Sequence, residues 1–129
     1  MPAVITLFYG SLLACLLLAL SGRVIYLRRR YSVGIGAGEH RDLEKAIRAH
    51  ANLIEYVPLA LILIALLELS GTPARLVHGL GAALVASRLL HAWGLSRHSG
   101  RSIGRLLGTA GTVLVILTAS VLGLSSWIS

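Results

Sequence analysis

Three polar side chains share one helical face inside an otherwise aliphatic stretch: Arg48, Asn52 and Glu55, spaced i, i+4 and i+7. Tyr56 adjoins that face, and His50 lies at the same depth. A second group, Arg88 and His91, is spaced i, i+3, so these two also meet on one face. Arg101 and Arg105 stand at the start of the last apolar run, where free helix amides already favour an anion. Guanidinium forks hold carboxylates through paired hydrogen bonds. A carboxylate accepts from an ammonium group, and an amide side chain both donates and accepts at a peptide bond. The set suits a small zwitterionic ligand with more than one carboxylate.

Plainer roles exist for each group. Glu55 and Arg88 can form a buried ion pair that only holds two helices together. His91 alone reads as a satisfied histidine of a helix bundle. Arg28, Arg29 and Arg30 read first as topology anchors and lipid-headgroup contacts. Glu68 beside Arg75 reads as an interfacial ion pair. His91 and His98 are seven apart, but no carboxylate or third histidine completes a metal set; no metal is expected.

The elements that position these groups follow from composition. The chain has 129 residues, 56% hydrophobic and 13% charged, with a mean hydropathy of +0.81. Soluble domains carry about 25% charged residues, so a water-soluble globule is excluded and the solvent is a bilayer. The net charge of +7 points to anionic lipid or an anionic ligand. Aromatics at 5% argue against a base-stacking surface, so no nucleic-acid partner is expected. Cys15 is the sole cysteine, which excludes an internal disulfide.

Four spans are predicted, at about 3–27, 41–70, 74–95 and 103–127, as a single all-α membrane domain over 1–129. The first run lacks the basic residues that begin a cleaved leader, so it is read as a retained helix. Pro58 predicts a kink in the second span. Gly71-Thr72-Pro73 marks a turn. Gly104 and Gly108, with Gly111 a turn later, form a small-xxx-small pattern that permits close helix approach. Basic residues concentrate between spans one and two and between spans three and four. The positive-inside rule puts both connections in the cytoplasm and both termini outside.

The stretch from Arg48 to Leu59, with Arg48, Asn52, Glu55, Tyr56 and Pro58 in register, resembles the second-helix signature of the MAPEG family, the membrane-associated proteins in eicosanoid and glutathione metabolism. Val24–Arg29 and Arg88–His91 resemble it too. The resemblance implies a homotrimer of four-helix subunits; the membrane itself is read as a bacterial inner membrane. Glutathione would bind as co-substrate between subunits, and hydrophobic electrophiles would arrive from the lipid. Arg48, His50, Asn52, Glu55 and Tyr56 would hold glutathione from helix two, Arg88 and His91 from helix three, and Arg28 from the neighbouring subunit. Two positions depart from the family's eicosanoid synthases. Leu95 stands where they carry a tyrosine, and Ser102 falls, without gaps, where they carry a thiolate-stabilising arginine. Arg105 is preferred for that role over Arg101, since it sits in the first helical turn.

The implied chemistry is activation of the glutathione thiol, then addition to a hydrophobic electrophile or reduction of a lipid hydroperoxide. Two rivals stand beside it. One is a non-catalytic protein that keeps the fold. The other is a small four-helix multidrug transporter, disfavoured because the first span has no carboxylate.

Overall fold

The computed structural model describes residues 2–97 and 103–129, the side chains of Ser96 and Arg97 aside. Four helices follow one another: α1 (Val4–Tyr31), α2 (Arg41–Leu69), α3 (Ala74–Arg97) and α4 (Ile103–Ile128). Each matches a predicted span, and α1 runs one turn further than the apolar run alone indicates. That extra turn carries Arg28, Arg29 and Arg30, cations that suit the negative end of a helix dipole. Ser32 then stops the helix in the left-handed region at φ 55°, its N–H donating back to the Arg28 and Arg29 carbonyls. α2 starts with Asp42 and Glu44 in its first turn, again matched to the dipole. It continues unbroken through Pro58.

The connections are held by side chains. Arg28 Nη1 donates to the Gly36 carbonyl at 2.8 Å. Tyr31 donates to Asp42 at 2.6 Å and stacks on His40. Gly71, at φ 94°, lets the chain reverse between α2 and α3.

The bundle is built round α2, which touches the other three helices; α1 also touches α3, and α3 packs along α4, while α1 and α4 do not meet among the described residues. Leu13, Leu53, Ala60, Ile64, Val77, Leu84, Val115 and Ala119 fill the interior. The outside is apolar as well: Leu7, Leu18, Leu66, Leu114 and Leu124 are exposed, as expected where hydrocarbon replaces water. α1, α2 and α4 are each long and apolar enough to cross a membrane. α3, at about 36 Å long by helical rise, carries its polar groups Ser87, Arg88 and His91 turned inward.

Glycines set the closest crossing. A side-chain carbon at Gly94 would lie 2.5 Å from the Arg105 backbone nitrogen, and one at Gly108 would lie 2.6 Å from the Ser87 carbonyl oxygen. The Gly104/Gly108 pattern thus seats α4 on α3 of the same chain.

The end with the termini is closed by a polar knot that corrects the sequence reading of Glu68. Its carboxylate does not pair with Arg75. It turns inward, 6% exposed, and accepts from the Ile5 amide (2.8 Å), the Thr6 amide (2.8 Å) and the Thr6 hydroxyl (2.7 Å). An acid from the last turn of α2 therefore caps the first turn of α1, whose amides have no helical partners. Nearby, the Tyr9 hydroxyl and His78 Nδ1 are 2.9 Å apart, and Gly81 leaves room for the Tyr9 ring.

Candidate functional site

The opposite, basic half of the bundle holds a polar centre between α2, α3 and α4. Arg88 is its hub. Its side chain is 1% exposed, and Nη2 donates to Asn52 Oδ1 at 2.7 Å. Nη1 reaches the Thr112 hydroxyl at 3.4 Å, which in turn donates to the Gly108 carbonyl at 2.8 Å. One turn along α3, His91 is 4% exposed. Two buried nitrogens of this centre, Arg88 Nε and His91 Nδ1, find no hydrogen-bond partner among the described residues. Such atoms are rare in folded proteins and call for an explanation.

The electrostatics favour an anion. Arg88, Arg105 and Arg48 all lie close enough to His91 to act on its charge. Tyr56 and Glu55 act on Arg88 in the opposite sense, favouring its cation. Arg105 is in the first turn of α4, so its cation is added to the positive end of that helix.

The residues singled out in the sequence separate into three positions. Asn52, Arg88 and His91 come together inside, with Tyr56 half-buried beside them. Arg48 and Glu55 stay on the outer face of α2, paired at 3.6 Å with side chains 54% and 52% exposed. His50 lies about 200° round the helix from Arg48, on the far side of α2 from that pair. Arg28 is engaged with its own loop through the Gly36 and Val33 carbonyls. Arg101 and Ser102 lie outside the described residues. Leu95 is buried and brings no hydroxyl to the centre.

Thr112 is the member that the sequence reading did not find. Its signal is a hydroxyl four residues after Gly108, on the face that seats α4 against α3. Further out, a cavity of about 300 Å³ opens between α2, α3 and α4, lined by Arg41, Glu44, Lys45, Arg48, Leu95 and Arg105. No group of acids, histidines and cysteines that could hold a metal occurs among the described residues.

Known proteins are similar to this chain. The profile of the MAPEG family matches residues 6–125. The inner membrane protein YecN of Escherichia coli K12 is 39% identical over 90 residues, which cover 70% of this chain and 69% of that protein. YecN of Escherichia coli O6:H1 matches with the same values. A family profile that runs through all four helices, and a relative this similar across two thirds of its own length, lead to one conclusion: this integral membrane protein belongs to the MAPEG family.

Proposed function

We propose that this protein is a glutathione-dependent transferase or peroxidase that activates the thiol for attack on hydrophobic electrophiles or lipid hydroperoxides. The observation that carries the reading is the pair of buried nitrogens without partners, Arg88 Nε and His91 Nδ1, set among three guanidinium groups. A ligand with two carboxylates and a peptide backbone supplies what those groups lack.

In this reading Arg48 and Arg88 bind carboxylate, Asn52 and His91 bind the peptide, and Glu55 accepts from the ammonium group. Tyr56 borders the ligand, whereas His50, on the far side of α2, does not line this site. The thiolate lies toward Arg105, where a guanidinium and the first turn of α4 stabilise negative charge. The thiol proton leaves to solvent, the sulfur forms a bond to the electrophilic carbon, and the leaving group departs with its electron pair. With a hydroperoxide, the sulfur takes the terminal oxygen and a second glutathione releases water and glutathione disulfide, leaving the alcohol.

The same reading includes a homotrimer. The Arg48–Glu55 pair faces outward more than one turn inside α2, and a charged pair turned to hydrocarbon is costly unless another subunit covers it. Arg28 is held by its own loop through the Gly36 and Val33 carbonyls, and in this reading it serves the site of a neighbouring protomer. The basic end faces the cytoplasm in this account, with both termini outside.

The test is conjugation of glutathione to an aromatic chloronitro electrophile by the purified protein in lipid. Glutathione-dependent turnover, together with loss of ultraviolet thiolate absorbance in Arg105→Ala, is the expected result. No turnover with either an aromatic electrophile or a lipid hydroperoxide would overturn it in favour of a non-catalytic family member.

A further inference from the structure

The cavity beyond Arg48 is lined mainly by cations. Arg41, Lys45 and Arg48 are spaced i, i+4 and i+7, so one face of α2 presents three cations in a row. Arg105 closes the other side from α4, and Leu95 forms an apolar floor. Four cations thus line a space of about 300 Å³ against one acid, Glu44. Arg41, Lys45 and Glu44 form no ion pair among the described residues. Their charges are not used up by the fold. The first turns of α2 and α4 both open onto this space, so two helix dipoles add to the positive field.

The surroundings fix the chemical class. The cavity lies at the basic end of a bundle whose helices are long and apolar enough to cross a membrane, the end that the positive-inside rule sets against lipid headgroups. The outer surface of α3 and α4 at this end is apolar, with Trp93, Ile103 and Leu106 exposed, a surface along which acyl chains can run. We propose that this cavity binds the headgroup of an anionic glycerophospholipid, with the phosphodiester on Arg41 and Lys45 and a glycerol hydroxyl donating to Glu44. A zwitterionic headgroup fits less well, because its ammonium group meets the cations. The bound lipid then sits beside Arg48 and Arg105, which also line the cavity. The lipid site itself does not depend on the glutathione reading.

The experiment uses the full chain reconstituted into vesicles of equal parts phosphatidylglycerol and phosphatidylcholine, extracted gently and weighed by native mass spectrometry. Phosphatidylglycerol is expected to be retained over phosphatidylcholine. In Arg41→Gln/Lys45→Gln that retention should weaken by about 30-fold, from two lost charges next to an anionic lipid. A control, Arg29→Gln/Arg30→Gln, removes as much charge outside the cavity and should retain the lipid as the unaltered chain does. Lys45→Gln alone should show a smaller loss, which covers the case of a double variant that does not fold. Equal retention of both lipids, an unchanged double variant, or displacement by millimolar inorganic phosphate would overturn the proposal. Glutathione titration of the double variant separates the two readings, since neither Arg41 nor Lys45 belongs to the glutathione set.

Discussion

The bundle buries ionisable groups near both of its ends, and the two sets differ in how completely they are satisfied. At the end with the termini, the Glu68 carboxylate receives three short hydrogen bonds from the first turn of α1. At the basic end, Arg88 is more deeply buried yet keeps an unpartnered nitrogen, and His91 beside it keeps another. A closed polar network in a low-dielectric interior rigidifies and locates helices. An open one is a standing cost unless a ligand closes it. The comparison therefore assigns structure to one end and binding to the other. Sequence alone sets Arg88 and His91 apart as a candidate site but does not show that Glu68 is the group with its hydrogen bonds complete.

Substitutions can break or sharpen that contrast. The largest effect is expected at the α3–α4 seam. Gly108→Val places methyl groups against the His91 and Ser87 backbone, and size-exclusion chromatography in detergent should show loss of the monodisperse species. Next comes Glu68→Ala, which strands the Ile5 and Thr6 amides. It should lower stability by about 3 kcal/mol, read as a fall in thermal midpoint, with glutathione affinity unchanged. Arg88→Leu should reverse that pattern. Replacing an incompletely paired buried cation by a hydrophobe costs little stability, so the midpoint should move little while glutathione affinity falls at least about tenfold, or ~1.4 kcal/mol. The smallest effect belongs to Tyr9→Phe, which removes one hydrogen bond to His78. A loss of about 1 kcal/mol or less in stability, with unaltered glutathione binding, is the expected outcome. A Glu68 variant that loses ligand affinity at full stability would erase the distinction between the two ends.

The four helices were legible because uninterrupted apolar runs have few alternatives in a chain this poor in charge. The Gly71–Pro73 turn and the glycine seam were legible too, since both depend on local residue types. What the sequence did not reveal is long-range. Glu68 looks toward Arg75 in sequence, but its partners Ile5 and Thr6 lie 63 and 62 residues away, and they act through backbone amides that carry no side-chain signal. Thr112 joins Arg88 from 24 residues away through its hydroxyl, a pairing between helices that spacing within one helix does not register. Helical spacing put Arg48, Asn52 and Glu55 on one face. That face is broad enough for its inner edge, Asn52, to reach Arg88 while Arg48 and Glu55 stay outside. Helical phase also separates His50 from them, a rotation that counting depth along the chain does not register.

Calorimetric titration of glutathione into the detergent-solubilised protein, run beside Arg88→Leu, tests most directly whether the open polar centre is a binding site. Saturable heat in the unaltered chain, abolished in Arg88→Leu at an equal thermal midpoint, is the predicted result. No heat in the unaltered chain, or the same isotherm in both, would contradict it.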